Sequence, residues 1–240
     1  MTTSSRKKAV IILSGGLDST TCMGIAQEAG YELYPITFDY GQRHKIELEN
    51  ARQVARHYGV ADRHKVIKLD FLKEFGGSAL TDESLDVPDM TKPKEERGDA
   101  AAEKESEVPI TYVPGRNLLF LSIATSYAEV TEAEAIYIGV NALDYSGYPD
   151  CRPEFIRKVE EVMALATRVG VEGGPIRIET PLSEWTKAEI IRQGMKLDVP
   201  YHLTTSCYNG QEEACGVCDS CRLRLKGFAE AGSKDPIAYK

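Results

Sequence analysis

The chain has 240 residues, 42% of them hydrophobic, and a formal net charge of -8. That length suits one domain, or one domain with a small appendage, and the acidic balance argues against general affinity for nucleic-acid backbones. The first apolar run, Ala9–Leu13, is too short to span a bilayer or to serve as a signal peptide, so a cytoplasmic protein with no membrane partner is expected.

In chain order, Ala9–Leu13 is an uninterrupted apolar run, as a strand buried on both faces would be. Leu33–Phe38, Lys65–Leu69, Ala135–Val140 and Ile176–Thr180 read as further strands. Helical spacing lies between them. Leu48, Ala51, Ala55 and Tyr58 fall on one helical face, as do Leu118, Leu121, Thr125 and Ala128, and Phe155, Val159, Val162 and Ala166. Strands alternating with helix-length connections predict an α/β fold with a mostly parallel sheet. Asp82–Glu107 is rich in Asp, Glu, Lys and Pro and is expected to be a mobile insertion. The expected division is a catalytic domain over 1–200 and a metal-binding region over 201–240.

The segment Leu13-Ser14-Gly15-Gly16-Leu17-Asp18-Ser19 stands where the first strand ends and a helix begins. Two glycines allow a tight turn and close approach to a ligand, and successive N–H groups can converge on an anion at the helix N-terminus. The Gly-Lys-[Ser/Thr] ending of a Walker A loop is missing. The competing reading is an ordinary strand–helix turn with Ser14 or Asp18 as the helix cap. The segment resembles the PP-loop signature, Ser-Gly-Gly-x-Asp-Ser. That resemblance implies an adenine nucleotide alpha hydrolase-like fold, a grip on the pyrophosphate part of ATP, and cleavage between the α- and β-phosphates.

Six cysteines in a cytosolic chain suggest metal binding or chemistry rather than disulfides. Cys207, Cys215, Cys218 and Cys221 are spaced C-x7-C-x2-C-x2-C, which suits a closed tetrahedral zinc site. An iron–sulfur cluster is the competitor, but a ferredoxin run places its fourth cysteine downstream and before proline, whereas Arg222 follows Cys221 here. Three further loops, at 38–44, 113–117 and 144–152, sit where strand C-termini are expected, the edge at which open α/β sheets bind ligands.

LSGGLDSTTC at 13–22, FDYGQRH at 38–44, VPGRN at 113–117, DYSGYPDCR at 144–152 and the cysteine spacing together resemble the 7-cyano-7-deazaguanine synthase family of queuosine biosynthesis, over nearly the whole chain. The resemblance implies that 7-carboxy-7-deazaguanine and ammonia become 7-cyano-7-deazaguanine at the expense of ATP, through adenylated intermediates and an amide. It implies a homodimer acting on small molecules.

The nucleotide-binding stretch implied by the resemblance is Leu13, Ser14, Gly15, Gly16, Leu17, Asp18, Ser19, Thr20, Thr21, Cys22 and Met23, with Ser14 to Gly16, Asp18 and Ser19 at the phosphates. Cys22 itself reads as a small apolar residue on the following helix. Asp18 beside an anion calls for Mg²⁺ as a bridge, or else for a capping role. With Asp18 and Ser19, Arg116 and Lys187 are the catalytic candidates. Arg116 offers a planar fork for phosphate or carboxylate, against a solvated helix-start arginine. Lys187 opens a helix, as a phosphate-contacting lysine or a surface one. Asp144, Tyr148 and Asp150 are candidates for the deazaguanine, and Arg43 and His44 either line the site or belong to a solvated loop. Adenylation needs no covalent step at Cys151. Rival functions are a tRNA-modifying PP-loop enzyme, a relative that uses deazaguanine to modify a macromolecule, and a zinc-ribbon binding module without catalysis.

Overall fold

The structure is a computed structural model that describes residues 6–43, 46–93, 108–143 and 147–240. Strands β1 (Lys8–Ile12), β2 (Glu32–Asp39), β3 (Lys65–Lys68), β4 (Ala135–Tyr137) and β5 (Arg177–Glu179) form one sheet in the order β3-β2-β1-β4-β5. Every neighbouring pair is parallel. The helices are α1 (Leu17–Glu28), α2 (Ile46–His57), α3 (Phe71–Phe75), α4 (Arg116–Thr131), α5 (Pro153–Ala166), α6 (Arg168–Val171), α7 (Lys187–Lys196) and α8 (Asp219–Glu230). Among the described residues no helix is long and apolar enough to cross a membrane.

The centre of the sheet explains the unbroken apolar run. Side chains alternate across a strand, so Val10 and Ile12 of β1 face one layer and Ala9 and Ile11 the other. The first layer holds Phe120, Leu121 and Ala124 of α4 with Ile156, Val159 and Met163 of α5. The second holds Cys22 and Met23 of α1, Val54 of α2, Ile190 and Ile191 of α7 and Phe228 of α8. The result is a three-layer α/β/α domain.

The expected face of α4 is buried except at Leu118, whereas that of α5 is turned. On α4 the buried stripe includes Phe120, Leu121, Ala124, Thr125 and Ala128, whereas Leu118 is 49% exposed. On α5 the buried residues are Ile156, Val159 and Met163, whereas Val162 is 61% exposed and Ala166 is exposed. Helices rich in apolar residues admit two stripes at a spacing of three and four, and contact with the sheet chooses between them. Strand β4 ends at Tyr137 rather than Val140, although Ile138 still donates its N–H to the Glu179 carbonyl (3.1 Å).

The expected insertion begins against the body of the protein. Arg43 donates from Nη2 to the carbonyls of Asp82 and Leu85 (both 2.6 Å), and the Met90 N–H reaches the Val217 carbonyl (3.1 Å). Residues 94–107 lie outside the described residues. The expected division at 200 falls within continuous packing: α8 lies on α7, and Tyr201 meets Phe228 edge-on at 5.7 Å.

Arg224 fastens the C-terminal part. It is 1% exposed, binds Asp235 in fork fashion (2.8 and 3.0 Å), and donates to Thr204 Oγ1 (2.8 Å) and to the Tyr201 carbonyl (3.1 Å). Removing one partner of such a pair strands a buried charge. Asp235→Ala should therefore lower stability by about 3–5 kcal/mol in urea unfolding, while the paired change Arg224→Met with Asp235→Leu should cost much less. Equal losses in the two variants would show that the pair is not the cause.

Candidate active site

The turn after β1 leaves backbone N–H groups without helical acceptors. Gly15 takes φ 84°, in the left-handed region open to glycine, and Gly16 caps α1 without any side-chain cap. Leu17, Asp18 and Ser19 open α1, so their N–H groups have no intrahelical acceptor. Two hydroxyls brace the turn. Ser14 Oγ accepts from Gly16 N–H (3.2 Å) and lies 3.0 Å from Ser19 Oγ, which itself accepts from Ser14 N–H (3.2 Å). Thr37 donates to the Leu13 carbonyl (2.5 Å), which spends its one proton. His64 Nε2, 2.7 Å away, must then be the donor to Thr37.

Asp18 is not a cap. Both its oxygens accept from Lys187 Nζ (2.7 and 2.8 Å), and the two side chains are 17% and 9% exposed. Lys187 is the first residue of α7, entered through a capping box in which Thr186 and Glu189 satisfy each other's N–H groups. A lysine at a helix N-terminus opposes the helix dipole, and Asp18 offsets that charge.

The loops at the C-terminal ends of β1, β2 and β4 enclose a cavity of about 190 Å³, bounded also by the start of α4 and by residues 205–208. Ser14, Gly16, Asp18 and Ser19 line one end. The other is aromatic: Phe38 stacks on Phe120 at 4.1 Å, Tyr40 leans on Phe120 at 5.6 Å, and Tyr148 joins them. Arg116 lines this end, with Nη1 3.4 Å from the Tyr40 hydroxyl and Nε buried without an acceptor. Glu47 also lines the cavity. Burial, opposed by Arg116 and reinforced by Cys207, raises its carboxyl to about 8.

Of the expected site residues, Leu13, Ser14, Gly16, Asp18, Ser19, Arg116 and Tyr148 share this cavity, and Lys187 reaches it through Asp18. Leu17, Thr20, Thr21, Cys22 and Met23 do not line it. They are buried in the layer beneath, where Thr21 Oγ1 bonds the Leu17 carbonyl (2.9 Å) and the Tyr201 hydroxyl (2.9 Å). Asp150 is not a lining residue either: its Oδ2 accepts from the Asn117 N–H (3.0 Å), satisfying a donor in the first turn of α4. Arg43 is a strut between loops, as described above. His44 and Asp144 lie outside the described residues. Cys151 is at the cavity wall, and burial and the Asp150 charge push its thiol up to about 12, which makes it a poor nucleophile.

Sequence reasoning missed Glu47, the aromatic floor, and Thr205, Ser206 and Tyr208. Glu47 stands one turn beyond the FDYGQRH motif, at the start of a helix leaving the right edge of the sheet, and that position was its only signal.

The four sulfurs of Cys207, Cys215, Cys218 and Cys221 lie within 4.8 Å of one another. Tetrahedral ligation with bonds of about 2.3 Å needs sulfurs roughly 3.8 Å apart, so the cluster fits a metal such as zinc. Backbone N–H groups of Cys215 and Cys218 point at the sulfurs of Cys207 and Cys215 (both 3.4 Å), as suits thiolates.

Comparison with known proteins decides the family. Residues 8–232 match the family model described as Queuosine biosynthesis protein QueC. The chain belongs to this family. A 7-cyano-7-deazaguanine synthase of Oceanobacillus iheyensis is 59% identical over 233 residues, 97% of this chain and 98% of that protein. One from Saccharophagus degradans is 56% identical over 237 residues, 98% of this chain and 99% of that one. Among solved structures, an NMN synthetase from Francisella tularensis overlaps with a TM-score of 0.48 at 15% identity, across 95% of this chain and 79% of that one, too loosely to inform the site. The QueC-family chain has a parallel-sheet α/β fold with a C-terminal four-cysteine cluster.

The brace on the loop has a pH signature. Burial first, and Arg52 second, lower His64 from 6.5 to about 4. Between those values the unfolded chain binds the extra proton. His64 thus contributes stability fully above pH 6.5, and loses it as pH falls towards 4. In urea unfolding at a series of pH values, His64→Gln should flatten that acid limb. An unchanged limb would assign it to other groups.

Proposed function

We propose that this chain converts 7-carboxy-7-deazaguanine and ammonia to 7-cyano-7-deazaguanine, using ATP. The observation that carries the reading is that the near-full-length likeness to synthases of that name coincides with one cavity joining a phosphate-type loop to an aromatic, arginine-bearing pocket.

The chemistry accounts for the two ends. A carboxylate is a poor electrophile. Its oxygen attacks the α-phosphate of ATP, an O–P bond forms, and pyrophosphate leaves. The N–H groups of Leu17 to Ser19, which have no helical acceptors, would suit the departing anion, and such preorganised dipoles are the largest expected catalytic contribution. Ammonia then forms the C–N bond of an amide, releasing AMP and a proton. The amide oxygen attacks a second ATP in the same way, and loss of AMP and both amide protons leaves the nitrile. Lys187, already at the loop, would share its charge between Asp18 and the phosphates, and Asp18 would hold the Mg²⁺ that accompanies ATP. Zinc on the four cysteines would be structural, since a closed set of four thiolates leaves no position for substrate. The same reading takes the working species as a cytoplasmic homodimer, and the net charge of -8 supports the absence of a nucleic-acid partner.

Mass spectrometry of a reaction with ATP, ammonium and 7-carboxy-7-deazaguanine tests the proposal. AMP and pyrophosphate should form with the nitrile, and supplied 7-amido-7-deazaguanine should be accepted with ATP. Formation of ADP in step with nitrile would overturn the reading of the loop. Asp18→Asn should lower turnover roughly a hundredfold; it is a cleaner variant than Asp18→Ala, which would strand buried Lys187.

Metal analysis of anaerobically purified protein should give one zinc per chain. Such binding is worth on the order of 10 kcal/mol, so Cys218→Ser should loosen the C-terminal part and lower solubility. Iron with visible iron–sulfur absorption would exclude the zinc assignment.

A further inference from the structure

The cavity contains two ionisable side chains near Tyr40 whose bonding is incomplete. Glu47, on the first turn of α2, has no hydrogen bond or ion pair among the described residues. Arg116 has a buried Nε with no acceptor and only a long contact to the Tyr40 hydroxyl. Both act on the Tyr40 hydroxyl in charge terms, and Arg116 also acts on Glu47 and Tyr148. Asp18 and Lys187 at the phosphate end are engaged with each other instead.

A row of N–H donors on a ligand favours the ionised form of a buried carboxyl, which then only accepts hydrogen bonds, and a guanidinium only donates them. Leaving either short of partners in a cavity is costly. A ligand that satisfies both must be flat enough for the Phe38–Phe120 floor, must present a row of N–H donors, and must carry an anionic group. Resting on the substrate proposed above, we infer that Glu47 accepts hydrogen bonds from the ring N–H and exocyclic amino group of the deazaguanine, and so selects a base with that donor edge. Arg116 then faces the carboxylate that is to be activated. Asp150, whose carboxyl serves α4, is not the reader of the base.

A site built to receive a donor rejects an analogue that lacks it, because its own acceptor is left unpaired. Titration calorimetry with 7-carboxy-7-deazaguanine and with its analogue lacking the exocyclic amino group tests this. The wild type should prefer the amino compound by about ten- to a hundredfold, the scale of a hydrogen bond to a charged group. Glu47→Gln should lose most of that preference and Glu47→Met all of it, with ATP affinity and zinc content unchanged. Equal affinity of the wild type for both compounds overturns the inference without recourse to any variant. So does a preference that survives in Glu47→Met, or a loss of ATP affinity matching the loss for the base. A wild type that binds ATP but neither compound would fail the substrate reading itself. A wild type that discriminates without help from Glu47 fails this inference alone.

Discussion

The cavity depends on a steric fact: there is no room for a side chain at Gly15 of the phosphate loop or at Gly139 beside it. A Cβ on Gly15 would stand 2.3 Å from the Glu47 carbonyl and 2.8 Å from the Ala51 nitrogen, and one on Gly139 would stand 2.9 Å from the Ser19 nitrogen. With those carbons absent, the start of α2 lies against the loop on one side and the chain leaving β4 on another. The Thr205 N–H donates to the Gly15 carbonyl (3.2 Å), which brings residues 205–208 to the wall as well. Each wall of the pocket therefore takes its position from the same few backbone atoms.

Charge divides the pocket. At the loop, Lys187 is nearly buried at a place where the helix dipole disfavours it, and the fold offsets this with Asp18 and the Thr186–Glu189 box. Buried ion pairs seldom add net stability. The pair makes more sense as a positive charge held at the loop in a neutral resting state. At the aromatic end, Arg116 and Glu47 form no ion pair with each other among the described residues, although the arginine's charge acts on the carboxyl, and Arg116 Nε has no acceptor.

The strands were legible because a central parallel strand buries both faces, and Ala9–Leu13 can hardly be read otherwise. The loop and the cysteines were legible because their chemistry needs fixed spacing. The face of α5 and the first turn of α4 were not, since Leu118 and Val162 fit a helical stripe as well as Phe120 and Met163 do until the sheet selects. Nor were the jobs of polar loop residues. Asp150 and Arg43 look like ligand contacts in one dimension, and only packing shows that their bonds serve an α4 N–H and the carbonyls of Asp82 and Leu85. Glu47 escaped for the opposite reason: an acidic residue early in a helix is ordinary until the loop beside it is seen to have no room for a side chain at Gly15.

The strand order has a kinetic consequence. Strand β1 pairs with β2 across a short helical connection, but its other neighbour, β4, arrives only after Ala135. Closure of the loop wall waits longer still, for Thr205. During synthesis the phosphate loop is thus made well before the segments that enclose it. Contacts so distant in sequence slow folding and leave a central strand edge uncovered in the meantime. The half-made chain is the form most exposed to edge-to-edge association, and Lys8, at the head of β1, is the charge placed to discourage it.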